Sequence, residues 1–146
     1  MKKIITALLF CLLSISAFSA ETIQATRNAN VRILDRIVGL KMTSSKASKL
    51  DAKVVELLNG DGFNPTKMVL VLGAGDPTEQ NNIFDLDVMM YEVTRVTFTA
   101  IDQILINYTQ DSFDQDGNTS QVKKSMKIQV LRSSDGSLSG EIKILD

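Results

Sequence analysis

Residues 82–131 decide the fold, and they read NIFDLDVMMYEVTRVTFTAIDQILINYTQDSFDQDGNTSQVKKSMKIQVL. Apolar and polar residues alternate on both sides of a strong turn signal, the segment DQDGN at positions 114–118. Successive side chains of a strand point to opposite faces, so such alternation predicts strands with one face on a core. We therefore predict a β-hairpin around this turn, with Ile128 and Val130 on the apolar face of its second strand.

The sequence around the hairpin predicts further strands. Residues 84–93, 95–100 and 104–109 alternate in the same way. A short apolar strand is predicted at residues 67–72, and a final strand at residues 140–145 follows an Asp-Gly turn signal. The expected product is an antiparallel β-meander of about five to six strands.

The N-terminal part of the chain has the residue spacing of helices. In residues 29–41 the polar residues recur with helical spacing, although the valine and isoleucine content also permits a strand. Residues 45–59 give a stronger pattern, in which Leu50 and Val54 belong to an apolar stripe and Gly60 takes the C-terminal cap position. We therefore predict an α+β fold, with one or two N-terminal helices packed on one face of the antiparallel sheet.

The chain begins with the features of a secretory signal peptide. Two lysines at positions 2 and 3 precede an apolar run, and small residues follow at Ala17, Ser19 and Ala20. The run is shorter than the roughly 20 residues that a membrane-spanning helix needs. We predict a bacterial leader at residues 1–19 and a single exported domain at residues 20–146. This domain would be periplasmic or extracellular, with no stable membrane span after cleavage.

The composition restricts the chemistry that the exported domain can perform. Cys11 is the one cysteine and lies in the leader, and the chain has no histidine. Disulfides, thiol nucleophiles and the Ser-His-Asp triad are therefore ruled out, and the main zinc and copper ligands are missing. With no tryptophan and no large basic patch, nucleic-acid binding is not expected either. The composition thus favours a non-catalytic protein without a cofactor.

A carboxylate-based hydrolase that acts on envelope polysaccharide, or a binder of that polysaccharide, is the alternative. Glycoside hydrolases use paired carboxylates across a cleft. Asp85 and Asp87 are paired carboxylates on one predicted strand face, and the other interpretation is that this face is simply solvated. The two hypotheses differ in what they require of the structure. A hydrolase should have two carboxyl groups with a raised pKa in one cleft, whereas a binding protein should have an exposed apolar or charged patch.

The turn in the central hairpin is a candidate calcium loop. Its oxygen-bearing side chains are those of Asp111, Asp114, Asp116 and Asn118. Calcium takes six to eight oxygen ligands. An EF-hand alignment fails, because it puts Lys123 where a bidentate carboxylate is needed. A calcium-stabilised structural domain is one hypothesis, and an ordinary hairpin turn stabilised by local hydrogen bonds is the other.

Two polar loops are the other candidate binding surfaces. The first contains Asp61 and Asn64, and the second contains Asp76, Glu79 and Asn82. Binding residues concentrate on loops that a rigid scaffold positions. We therefore predict an exported accessory protein that binds a protein partner in the cell envelope through these loops and the acidic turn.

Overall fold

The structure is a computed structural model that describes residues 21–24, 36–59, 63–75 and 80–145. These residues form nine β-strands and contain no α-helix. In chain order the strands are β1 (Thr22–Gln24), β2 (Ile37–Ser45), β3 (Leu50–Leu58), β4 (Thr66–Gly73), β5 (Asn82–Met90), β6 (Glu92–Ala100), β7 (Gln103–Phe113), β8 (Thr119–Arg132) and β9 (Leu138–Leu145). No helix in the described part of the chain is long and apolar enough to cross a membrane.

The strands form two antiparallel sheets. One has four strands in the order β2-β3-β4-β5, and the other has five in the order β1-β9-β8-β7-β6. A single residue, Tyr91, carries the chain from β5 in the first sheet to β6 in the second. Its N–H donates to the Thr109 carbonyl at 2.9 Å, and β6 lies against β2 and β3 of the opposite sheet. The two sheets therefore pack face to face as a sandwich.

The space between the sheets is filled by one hydrophobic core. Both sheets contribute fully buried side chains to it. The buried members from the four-stranded sheet are Leu50, Ala52, Val54, Met68, Leu70, Leu72, Phe84, Leu86 and Met90, and those from the five-stranded sheet are Val93, Val96, Ile104, Ile106, Tyr108, Ile128, Val130 and Ile142. The predictions of an antiparallel sheet, and of an apolar core face at Ile128 and Val130, are confirmed, and Ile104 and Ile106 are buried as the alternation of residues 104–109 predicts.

The predicted helix at residues 45–59 is wrong, because this segment is the end of β2, a turn and the whole of β3. Leu50 and Val54 are four residues apart, so they share a face in a strand as well as in a helix. Ala52, which lies between them, and Glu56, which follows Val54 by two residues, are buried with them, whereas Ala47 of the predicted stripe lies exposed in the turn. Packing against the second sheet therefore overrode the local helical pattern.

The predicted α+β architecture is also wrong. The helix proposed for residues 29–41 is replaced by β2 from Ile37 onward, and residues 29–35 lie outside the described residues. The single predicted meander is instead two antiparallel sheets, because the chain passes from one sheet to the other at Tyr91. Simple alternation along residues 84–93 predicts that Val93 lies on the face opposite to Phe84, but the change of sheet turns its side chain into the core.

A hydrogen-bonded cluster around Arg132 joins the two sheets at one end of the sandwich. The Arg132 guanidinium donates to both carboxylate oxygens of Asp102, at 2.7 and 2.8 Å, and to the carbonyls of Ser48 and Gly136. The Asp102 N–H in turn donates to the Ser48 hydroxyl at 2.9 Å. The cluster connects the β2–β3, β6–β7 and β8–β9 turns, and the bond from Arg132 lowers the pKa of the Asp102 carboxyl.

Candidate functional site

The central hairpin extends beyond the sandwich as a two-stranded projection. β7 and β8 pair continuously from Gln103 with Gln129 to Phe113 with Thr119. Residues 112–125 are exposed along both strands and the turn, so this part of the hairpin adds nothing to the core. We call residues 110–125 the arm. The prediction of a hairpin with its turn at residues 114–118 is confirmed.

The turn at the tip of the arm is built around the Asp114 carboxylate. Its Oδ1 accepts hydrogen bonds from the N–H groups of Asp116 and Asn118, and its Oδ2 accepts one from the Asn118 side chain. Gly117 takes a φ of 81°, which glycine adopts without strain. The hydrogen bonds from Asn118 lower the pKa of Asp114. The carboxylate thus serves the turn itself, as Asp commonly does at such positions.

The four residues of the candidate calcium loop are not all directed to one point. Asp114 and Asn118 bond to each other, and the Asp111 backbone is bonded to Asn64. In the described part of the chain no group of three or more Asp, Glu, His or Cys residues could hold a metal ion. The calcium loop therefore stays a prediction from the sequence.

Asn64, a predicted binding residue, holds the base of the arm. Its Oδ1 accepts a hydrogen bond from the Asp111 N–H at 2.9 Å, and its Nδ2 donates to the Asp111 carbonyl at 3.3 Å. The side-chain amide therefore bonds to the outer edge of β7 much as a neighbouring strand would. The structure thus brings together two of the predicted site residues, one in the β3–β4 loop and the other 47 positions later in β7.

An aromatic stack lies beside this clamp. The Phe63 and Phe113 rings are parallel to within 7°, with centroids 4.1 Å apart. Phe113 is nevertheless 61% exposed, so one side of the stack faces solvent. Sequence reasoning missed both residues. The signal was Phe113 itself, because it is a large apolar residue next to a polar turn, where no core requires it.

An open hollow of about 470 Å³ lies at the base of the arm. Two lysines, Lys123 and Lys124, line it together with the Tyr108 ring, whose hydroxyl pKa is raised by burial. Thr94, Asn107 and Ser125 complete the lining. The neighbouring Thr109 hydroxyl is buried and has no hydrogen-bond partner among the described residues. This side of the arm therefore offers cationic and hydrogen-bonding groups.

Of the remaining predicted binding residues, the structure describes only Asn82. Asp61, Asp76 and Glu79 lie outside the described residues, and Asn82 begins β5, opposite Leu72 of β4. A second open hollow, of about 650 Å³, lies between the β2–β3 turn and the end of β4. Lys46, Lys49 and Asp51 are among its lining residues.

Among the described residues, no two carboxyl groups with a raised pKa line the same hollow. Burial raises the pKa of Glu56, but Glu56 lines neither of the two hollows. Asp85 and Asp87 lie 2.7 and 3.7 Å from the Lys67 ammonium, whose pKa is raised mainly by the hydrogen bond to Asp85. These two carboxylates are therefore engaged with a lysine on the sheet surface.

Comparisons with known proteins leave the interpretation to the structure. No protein-family model matches this chain, and no curated protein or solved structure shows significant similarity to it.

Proposed function

We propose that this chain is a small exported, non-catalytic accessory protein that binds a protein partner in the cell envelope through the arm. The observation that carries the proposal is that the arm is exposed on both faces and is nevertheless braced by the Asn64 clamp and the Phe63–Phe113 stack. An isolated two-stranded hairpin is marginally stable in water. A brace of this kind supports a hairpin that must keep its shape for recognition.

One face of the arm suits a protein partner better than the other. Phe113 pairs with Thr119 and Asp111 with Gln121, so these four side chains share a face that continues into the exposed side of the aromatic stack. Exposed aromatic residues next to hydrogen-bonding groups are typical of interface hot spots. The opposite face carries Val122, which is 39% exposed.

The test is a pull-down of the tagged chain 20–146 from native periplasm and envelope, read by mass spectrometry. Phe113→Thr is the test variant, and Val122→Thr is the matched control on the opposite face of the same arm. We expect one reproducible partner that is lost with Phe113→Thr and retained with Val122→Thr. Equal capture by both variants would place the binding surface elsewhere, and retention on polysaccharide without a protein partner would favour the carbohydrate alternative.

The calcium hypothesis has a separate test that leaves the arm unchanged. A calcium-stabilised domain should melt at a higher temperature with added calcium than with a chelator, since a ligand that binds the native state stabilises it. We expect equal melting temperatures in the two buffers, because the Asp114 carboxylate already bonds within its own turn. A clear rise with calcium would restore the turn as a metal site.

A further inference from the structure

The outer edge of β8 has no neighbouring strand along the arm. β8 pairs with β7 from Thr119 to Gln129, but it pairs with β9 only from Lys127 onward. In the described part of the chain, residues 119–126 therefore have a strand on one side only. We call the other side of residues 119–126 the open edge. It contains no proline, and its pairing with β7 has no bulge, so it is straight enough to accept a further strand.

The outer edge of β7, in contrast, is closed at the base of the arm. The Thr109 carbonyl accepts a hydrogen bond from the Tyr91 N–H at 2.9 Å, and the Asn64 side-chain amide bonds to both the N–H and the carbonyl of Asp111. Unpaired backbone groups at the edge of a sheet are a template for pairing with another chain. The same hairpin thus has its β7 edge covered and its β8 edge available.

The register shows which backbone groups of β8 point to the open edge. In an antiparallel pair, residues directly opposite each other either bond to each other or both direct their N–H and carbonyl groups away. Thr109 and Asp111 direct theirs away from β8, and they lie opposite Lys123 and Gln121. Lys123 and Gln121 therefore direct their N–H and carbonyl groups to the open edge. By the two-residue period of a strand, Thr119 and Ser125 do the same.

The open edge carries positive charge near its middle. Lys123 and Lys124 are exposed and form no ion pair among the described residues, and residues 119–126 contain no acidic residue. Lys127, where pairing with β9 begins, is also basic. The acidic residues of the arm lie on β7 and in the turn, at Asp111, Asp114 and Asp116. A strand on the open edge would therefore lie beside two lysines.

We propose that the partner of the arm contributes an extended acidic segment, which pairs with the open edge as an additional antiparallel strand. This inference rests on the function proposed for the arm. Adjacent residues of a strand point to opposite faces, so two neighbouring acidic residues of the segment would lie beside Lys123 and Lys124, one on each face. Main-chain hydrogen bonds hold such a strand, and the charges select it. The added strand would also extend the face of the arm that carries Phe113.

A second copy of this chain fits the open edge poorly. Antiparallel pairing of two such edges over their full length would bring Lys123 and Lys124 of both copies together at the centre. Like charges directly across a strand pair are destabilising, and lysine is a residue that edge strands carry to prevent pairing between copies. The two lysines that oppose self-pairing attract an acidic strand.

The test is an NMR titration of the chain 20–146 with the end-blocked peptide Val-Thr-Glu-Glu-Val-Thr-Val-Thr, whose glutamates fall beside the two lysines in antiparallel pairing. The control peptide has Lys-Lys in place of Glu-Glu. We expect a dissociation constant of roughly 0.1–1 mM, since a short strand without a deep side-chain pocket binds weakly. At about 2 mM peptide, the amides of the odd-numbered residues in 119–125 should exchange with water roughly 3- to 20-fold more slowly. Exposed amides of the β8–β9 turn, residues 134–135, should not change.

Charge reversal tests the selection of an acidic strand. Lys123→Glu is the test variant, and Lys143→Glu is the matched control, because Lys143 is exposed on β9 outside the open edge and the net charge changes equally. We expect Lys123→Glu to weaken binding of the Glu-Glu peptide by roughly 3- to 10-fold and to strengthen binding of the Lys-Lys peptide. Lys143→Glu should change either affinity by less than about twofold, since salt screens distant charges.

The other outcomes overturn the inference. Equal binding of the two peptides, or an equal loss with both variants, would show that the lysines of the open edge do not select the strand. Slower exchange that depends on protein concentration without peptide would assign the edge to a second copy.

The two proposals fail in different ways. If neither peptide slows exchange at about 2 mM, while the pull-down returns a partner that Phe113→Thr loses, the open edge is not the binding site and the function of the arm stands. If the Glu-Glu peptide binds as expected but the pull-down returns no partner, the open edge accepts an acidic strand and the proposed function fails.

Discussion

Removal of the Asn64 clamp should loosen the arm without unfolding the sandwich. Asn64→Ala deletes the two hydrogen bonds to the Asp111 backbone, at 2.9 and 3.3 Å. A neutral hydrogen bond contributes about 0.5–1.5 kcal/mol net, and the longer of the two lies at the weak end of this range. The Asp111 backbone is only part-buried, so water replaces the amide and no full desolvation cost is added. We expect a loss of about 1–2 kcal/mol in the free energy that keeps the arm closed.

The measurement is native-state amide hydrogen exchange by NMR. A loss of about 1–2 kcal/mol corresponds to roughly 5- to 30-fold faster exchange at the paired residues of the arm. Core amides such as those of Ile104 and Ile128 should change much less, because they exchange through larger openings. Gln121→Ala is the matched control, since it removes an exposed amide from the same face without a described hydrogen bond.

Two results would refute this reasoning. If arm amides in Asn64→Ala exchange within about twofold of the wild-type rate, the hairpin holds its shape without the clamp. If arm and core amides accelerate equally, the clamp stabilises the whole sandwich instead of the arm. In either case the argument that the clamp supports a recognition element would lose its basis.

Three further predictions concern the body of the sandwich. Arg132→Met should destabilise the fold by roughly 2–3 kcal/mol in urea unfolding at pH 7. Because Arg132 lowers the pKa of Asp102, the stability difference between wild type and variant should shrink as the pH falls below 3.8, the ordinary pKa of Asp, and a difference that stays constant would contradict this ion pair's role. Burial raises the pKa of Glu56, so the ionisation of this residue should lower wild-type stability as the pH rises above 4.5. Glu56→Gln should therefore gain stability relative to the wild type between pH 4 and 7, and a stability difference that does not depend on pH would count against this. Gly39→Ala would place a Cβ 2.6 Å from the Glu56 carboxyl carbon, so we expect it to lower the stability measured in thermal melts by about 1–3 kcal/mol. This loss of stability should largely disappear in a Glu56→Ala background, and an equal loss in both backgrounds would exclude the clash.

Local alternation was enough to predict the hairpin and its core faces. Ile104, Ile106, Ile128 and Val130 are buried as their spacing predicts, and the turn forms where Asp and Gly occur together. These features depend on neighbours in sequence. In a strand whose residues alternate with a period of two, one face is apolar and packs on the core. Gly117 supplies the positive φ that the turn requires.

The candidate site was only partly within reach of the sequence. Asn64 and Asp111 were both predicted to bind a partner, but their contact with each other joins the β3–β4 loop to β7, which is distant in the chain. Phe63 and Phe113 carry no periodic signal, and the stack forms only because the β3–β4 loop lies against the end of β7. Such contacts are properties of the packed sheets.

By itself, the sequence determined that residues 82–145 form antiparallel strands, because strand-type alternation and turn residues agree throughout that region. Only the tertiary structure decided that residues 50–58 are a strand, since an apolar residue at every fourth position fits a helix and a strand equally well. It also decided the number of sheets, because the chain changes sheets at Tyr91, where the sequence contains neither glycine nor proline. The physical reason is the same in both cases: burial between two sheets is a gain that no single segment can achieve alone.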